Sequence, residues 1–151
     1  SLKRATQFKI YLTNPSLRAA MFKEANPQEV QYFGPVVETA ISAQLGIGES
    51  RMDWRYANWR VAKEQSEINF VKIDPGTQKP ISALEVKWSD GPFDHPAEIK
   101  EAVAFVQNNG LKELVVTTRS QRGEKYMNDV TLRYIPTAFY AYMLGKENFS
   151  K

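Results

Sequence analysis

The segment ISALEVKW (Ile81–Trp88) places a carboxylate and an ammonium, Glu85 and Lys87, two residues apart in an otherwise apolar run. Its composition predicts a strand, and a strand turns alternate side chains to opposite faces. Ile81, Ala83, Glu85 and Lys87 therefore share one face; Leu84, Val86 and Trp88 share the other, which reads as core. Charges set among apolar neighbours are costly to bury unless they are paired or bound to something. One chemistry that uses such groups is metal-dependent phosphodiester cleavage. There acids hold Mg²⁺, a hard cation that takes oxygen ligands, while the metal and a lysine activate water and stabilise charge on the phosphate.

A second acid should come from the preceding strand, EINFVKI (Glu67–Ile73), joined to the first through the turn-forming DPGTQKP. Matching apolar Ile73 with apolar Ile81 fixes an antiparallel register that sets Asn69 across from Glu85 and Glu67 across from Lys87. Directly opposed residues share a face, with Cβ atoms roughly 4.5–5.5 Å apart, and a slip of one residue would separate them. The hairpin thus gathers Asn69, Glu85, Lys87 and Glu67. Of the two central positions only Glu85 is acidic. Asn69 offers a neutral carbonyl oxygen, so Glu85 and Asn69 together make at best a weak metal site.

The elements that must hold this hairpin alternate between helix and strand. Asn14 before PSLRAAMF marks a helix start, with an Asn cap followed by Pro. GPVVETAISAQLG predicts a helix over about Pro35–Leu45, with Val37, Ile41, Gln44 and Leu45 on one face and Gly46 able to end it. FKIYL (Phe8–Leu12), WRYANW (Trp54–Trp59) and TLRYI (Thr131–Ile135) read as strands, and ELVVTT is an apolar β-branched run of the parallel-strand type. HPAEIKEAVAFVQNNG is predicted helical to about Gly110, and PTAFYAYMLG as a closing helix. The alternation predicts an α/β fold with part of its sheet antiparallel.

The bulk properties narrow the classes. The chain has 151 residues, 42% of them hydrophobic, enough for one domain with a real core and too short for two. Net charge is +3, compatible with nucleic acid but no argument for it. There are no cysteines, which excludes disulfides and thiolate metal centres. No apolar run approaches the ~20 residues that cross a bilayer, and SLKRATQFK has no apolar core of the kind a signal peptide carries.

Three motifs, in order, resemble a known family. GPVVETAISAQL is similar to a G-x-h-h-E-N-x-h-x-x-x-L helix, with Glu38 in the glutamate position and Thr39 where Asn is usual. SEINFV is similar to an E-V-D-F-V strand, with Asn69 where Asp is usual, and LEVK matches at Glu85 and Lys87. KIYLTNPSLRAAMF resembles the segment just upstream. This is the order of the PD-(D/E)xK nuclease-like superfamily, and more narrowly of the C-terminal domain of unknown function carried by prokaryotic AAA-type ATPases. The resemblance runs from about Lys9 to the final helix. It implies a restriction-endonuclease-like mixed sheet flanked by helices, spanning residues 1–151 as one domain, with 1–25 a connecting segment or an edge of it. It also implies a longer cytoplasmic protein with an N-terminal ATPase domain that binds ATP; a chain beginning at Ser1 rather than Met fits such a piece. The implied site is Glu38, Asn69, Glu85 and Lys87, a degenerate nuclease site that would take Mg²⁺ or Mn²⁺ if active.

The substitution at Asn69 makes a non-catalytic module that binds a partner protein or DNA the leading expectation. A metal-dependent DNA nuclease using Glu67 as substitute ligand, and a structural or oligomerisation domain, are the alternatives. Trp54, Tyr56, Trp59 and Trp88 are candidates for base stacking, though aromatics in strands are more often core. Arg119, Arg122 and Lys125, in TRSQRGEK, are candidates for phosphate contact or simply a solvated loop. His95 alone makes no zinc site. No G-x-x-x-x-G-K-[ST] occurs; Gly145-Lys146 lacks the upstream glycine and is followed by Glu147. The chain should therefore neither bind nor hydrolyse ATP: calorimetry should show no micromolar affinity for MgATP, and a phosphate-release assay no turnover.

Overall fold

The computed structural model describes residues 10–21, 26–46, 54–61 and 64–149, with the backbone alone at 18–19, 54–61, 64–66 and 148–149. Its elements run α1 (Pro15–Met21), α2 (Val30–Leu45), β1 (Trp54–Val61), β2 (Glu64–Ile73), β3 (Pro80–Glu85), α3 (Gly91–Asp94), a 3₁₀ turn (Pro96–Ile99), α4 (Lys100–Asn108), β4 (Glu113–Thr118), β5 (Gly123–Met127), β6 (Val130–Pro136) and α5 (Thr137–Phe149). The six strands form one mixed sheet in the order β1-β2-β3-β4-β6-β5. The centre, β3-β4-β6, is parallel; the flanks, β1-β2-β3 and β5-β6, are antiparallel.

Helices cover both faces. On one face α4 contributes Ala102, Val103 and Val106, packed with Ile68, Val71, Leu114, Val116, Leu132 and Tyr134. On the other, Val37, Ile41 and Leu45 of α2 meet Phe70, Leu84 and Val86, with Tyr140, Ala141 and Leu144 of α5 beside them. This is why ELVVTT reads apolar at successive positions: Leu114 and Val116 belong to the α4 side and Val115 to the α2 side. Tyr134 ties α3 to the sheet by donating to the Pro92 carbonyl at 2.7 Å, and burial pushes its phenol up to about 12.

Two irregularities in β2 and β3 decide what faces what. At the turn, Asp74 accepts from the Thr77 N–H and hydroxyl at 2.6 and 2.8 Å, and Gln78 takes a left-handed φ of 57°. The ladder then runs Ile73↔Pro80, Lys72↔Ser82, Val71↔Ala83, Phe70↔Leu84. Ile73 is thus not opposite Ile81. The pairing shifts at Pro80, which has no N–H to give to a ladder, and Ile81 is left 51% exposed. From Lys72 onward the register is nevertheless the one that opposes Asn69 to Glu85. The second irregularity lies on the other side of β2. Arg55 pairs with Val71 and Ala57 with Ile68, so two residues, Asn69 and Phe70, stand against Tyr56 alone. A bulge of this kind re-aims side chains. Ile68 and Val71, three apart, consequently share the α4-side core, which a regular strand with its period of two forbids.

Other expectations need correction. Ile10–Leu12 are not a strand. The sheet edge beside β2 is filled by β1, so the segment has no ladder to join; Phe8 and Lys9 lie outside the described residues. α2 starts at Val30 rather than Pro35, with Pro35 accommodated inside it. The run expected as one helix from His95 is a 3₁₀ turn and α4, closed by Gly110 at φ 72°. The end of the expected basic loop, Gly123–Lys125, belongs to an edge strand, β5. Its hairpin to β6 turns on Asn128 and Asp129 at φ 51° and 61°, the type I′ geometry that suits the twist of paired strands.

The register makes opposite demands on two isoleucines. Ile68 is fully buried and Ile81 half exposed. In urea unfolding, Ile68→Ala should cost about 2–4 kcal/mol and Ile81→Ala no more than about 0.5 kcal/mol.

Candidate functional site

Glu85 is the last residue of β3, Asn69 sits at the β2 bulge, and Glu38 lies mid-way along α2. Asn69 joins the other two, through its side-chain amide to Glu38 and its backbone N–H to Glu85. The Asn69 backbone N–H lies 3.3 Å from Glu85 Oε2. The Asn69 carbonyl Oδ1 accepts from the Val86 N–H at 2.7 Å, and its Nδ2 donates to Glu38 Oε1. The amide's orientation is dictated by chemistry: flipping it would set NH₂ against an N–H and a carbonyl oxygen against a carboxylate. Tyr11 completes the arrangement. Its hydroxyl donates to Glu38 Oε1 at 2.7 Å, and its ring packs on Phe70 with centroids 5.3 Å apart.

Glu85 and Lys87 form the second half. Lys87 Nζ lies 2.9 Å from Glu85 Oε1, with the lysine side chain 39% exposed and the glutamate 7%. Burial raises the Glu85 carboxyl, while the charge and hydrogen bond of Lys87 pull it back. Burial pulls Lys87 down, but the charge and hydrogen bond of Glu85, with Glu38 and Glu67 adding, outweigh it and leave the ammonium raised. The lysine's backbone is fixed after β3 has ended. Thr117, fully buried on β4, accepts from the Lys87 N–H at 2.9 Å and donates to its carbonyl at 3.0 Å. Thr137, at the start of α5, donates to Thr118 O at 2.7 Å and lies 3.1 Å from Lys87 O.

The structure therefore brings together all four of Glu38, Asn69, Glu85 and Lys87. Glu67 does not pair with Lys87 in a ladder, because β3 stops at Glu85; it pairs with Asn58 of β1 and is exposed, and its charge helps to raise Lys87. Trp88 is partly buried against the α2-side core, donating to Pro27 O at 2.9 Å and packing on Phe33 with centroids 5.0 Å apart. The backbones of Trp54, Tyr56 and Trp59 lie in β1, and their side chains are outside the described residues. His95 is exposed between α3 and the 3₁₀ turn. Tyr11, Thr117 and Thr137 escape sequence reasoning. The one signal was the paired threonines ending ELVVTT, polar groups in a strand that must find partners once both faces are covered.

The donor set does not fit a divalent cation. Asn69 turns an N–H rather than an oxygen toward Glu38, and its oxygen already accepts from Val86. One oxygen of Glu85 is held by an ammonium. Among the described residues no group of three or more His, Cys, Asp or Glu could hold a metal ion, and no helix is long and apolar enough to cross a membrane. No protein-family model, curated protein or solved structure matches the chain.

The charge balance makes stability depend on pH in a defined sense. A raised carboxyl contributes stability that is fully present below its ordinary value, 4.5 for Glu85, and lost as the pH rises through its folded value. Lys87 limits that loss. Its own raised ammonium adds stability present below 10.5 and lost as the pH rises through the raised value. Lys87→Met should cost about 2 kcal/mol at pH 8, less than a fully buried pair because the lysine is partly exposed. The deficit should shrink toward zero by pH 4, and Glu85→Gln added to Lys87→Met should recover most of it at pH 8. Urea midpoints at the two pH values measure this; an equal deficit at both would show that Lys87 does not neutralise Glu85.

Proposed function

We propose that this chain is a restriction-endonuclease-like module, the C-terminal part of a P-loop ATPase, whose metal position has been replaced by a neutral hydrogen-bonded group, so that it binds DNA or a partner protein rather than cutting. The observation that carries the reading is the Asn69 amide. Its Nδ2 donates to Glu38, at the position where a nuclease of this superfamily would carry an acid to share a cation with the helix glutamate. The order of the motifs supports the rest: a helix glutamate, a strand position usually Asp, then E-x-K on the next strand, all converging on one point. The link to an ATPase rests on the resemblance of those motifs.

An aspartate at position 69 would lose the donor to Glu38 and put a third carboxylate beside Glu38 and Glu85, a repulsion that a divalent cation relieves. In EDTA, Asn69→Asp should be less stable than the wild type by about 2 kcal/mol, and millimolar Mn²⁺ should recover several degrees of Tm, roughly 3 °C per kcal/mol at this size. The wild type's Tm should not respond to Mn²⁺. It should also leave single- and double-stranded DNA intact with Mg²⁺ or Mn²⁺. Wild-type cutting that disappears in Glu85→Ala would overturn the reading, as would equal Mn²⁺ stabilisation of both proteins.

A further inference from the structure

Three chain segments leave the carboxyl ends of the parallel strands: Lys87 follows β3, the loop Arg119–Arg122 follows β4, and α5 follows β6. In open α/β sheets ligands gather outside these ends. The loop and the helix are held to each other by Thr137 donating to Thr118 O at 2.7 Å. The loop itself is rigidified by Asp90, which accepts from the Ser120 N–H at 2.8 Å, the Ser120 hydroxyl at 2.6 Å and the Gln121 N–H at 3.1 Å.

On this support sits an arrangement the packing of the fold does not use. The core side of α5 is Tyr140, Ala141 and Leu144. Phe139 and Tyr142, three apart and so on one face, point away from it, 41% and 65% exposed. Their rings stack, with centroids 6.4 Å apart and planes at 25°. The Arg122 guanidinium lies 5.3 Å from the Phe139 centroid, and exposed Arg119 is on the same loop, its Nη2 donating to Gln28 Oε1 at 2.7 Å. The single acid in Arg119–Lys125, Glu124, lies 3.4 Å from Arg133.

We propose that the Arg119–Arg122 loop and the Phe139–Tyr142 face of α5 form a stacking platform for single-stranded nucleic acid. The proposal extends the reading of the chain as a binding module by naming its ligand. Exposed aromatic rings bordered by cations accept unstacked bases and the phosphates between them. A duplex keeps its base faces inside and offers nothing to stack. An apolar protein surface would bury guanidinium groups at a cost no gain on two rings offsets.

Fluorescence anisotropy of the full chain with a labelled oligothymidine of about 20 nucleotides tests this, in EDTA so that any cleavage is silent. Binding should weaken by roughly tenfold or less between about 50 and about 200 mM salt, as two or so phosphate contacts dictate. Tyr142→Ala and Phe139→Ala should each weaken it roughly tenfold or more, since stacking on one ring supports about that much per base. Tyr142→Phe, which keeps the ring, should bind like the wild type, and Arg122→Met should flatten the salt dependence by about one phosphate contact. Tyr142 is exposed enough that its loss leaves the fold intact, which unchanged urea midpoints check. No binding, binding indifferent to Tyr142→Ala, or tighter binding to the duplex of equal length would overturn the proposal. So would self-association in sedimentation that Tyr142→Ala abolishes, which would assign the face to a second copy. If the platform fails while Asn69→Asp still gains Mn²⁺ dependence, the reading of the site stands without it. Tyr142-dependent binding upholds the platform even where the wild type is found to cut.

Discussion

The side-chain amide of Asn69 is the interaction on which the middle of the molecule depends. Its carbonyl accepts the Val86 N–H, just where β3 has ended and that group has lost its ladder partner. Its Nδ2 donates to Glu38, a carboxylate brought under the sheet by the helix whose Val37 and Ile41 are core. Left unpaired, the buried Val86 N–H would cost about 1–3 kcal/mol. One neutral residue satisfies both, and only because the β2 bulge turns it toward α2. The bulge and the asparagine are therefore one device. Counted back from Val71, a regular strand would send the amide to the α4 side, where Val103 and Val106 offer it nothing.

Around that amide the charges are arranged in pairs rather than as a cluster of acids. Glu38 takes two donors, from Asn69 and Tyr11, and Glu85 takes Lys87 and the Asn69 N–H. Each carboxylate thus finds within the protein the positive or donor groups that a metal would supply in a site built of three acids. The position of Lys87 follows from polar groups on other strands. Thr117 replaces the ladder that β3 no longer offers, holding both the N–H and the carbonyl of the lysine. A lysine on a free loop would lose backbone as well as side-chain freedom to reach Glu85, more than a surface pair returns; fixing its backbone by other bonds removes part of that cost.

How far the sequence revealed this depended on which physical signal was local. The two-residue period and the turn at DPGTQKP sufficed to oppose Asn69 to Glu85, although through a pair, Ile73 with Ile81, that does not form. Pro80 and the shift it imposes were the local clue against that pair. The runs buried on both faces, such as ELVVTT, were legible because hydrophobicity dominates there. The edge strand Gly123–Met127 was not, since its exposed Glu124 and Tyr126 leave no apolar alternation to read. Tyr11 could not be placed at all. Nothing within FKIYL distinguishes a strand from an irregular segment pinned by one ring, and its partner is 27 residues away.

The same ordering explains where binding can reside. The amide network lies under α2 and is internally satisfied, so it has little left to offer a ligand. Lys87 is different: part of its side chain reaches solvent, and its carbonyl sits against Thr137, the first residue of α5. Through that residue the closed site is joined to the face of α5 where Phe139 and Tyr142 lie outside the core. Fixing Lys87 by Thr117 and Thr137, and fixing the loop by Asp90, are separate solutions to the same problem. Backbone leaving the carboxyl ends of three parallel strands has N–H and carbonyl groups that the sheet no longer pairs. Buried hydroxyls and a carboxylate pair them instead, and the by-product is a rigid rim. A rim held this way presents Arg122, Phe139 and Tyr142 already in place, so a ligand meeting them need not bear the cost of ordering them.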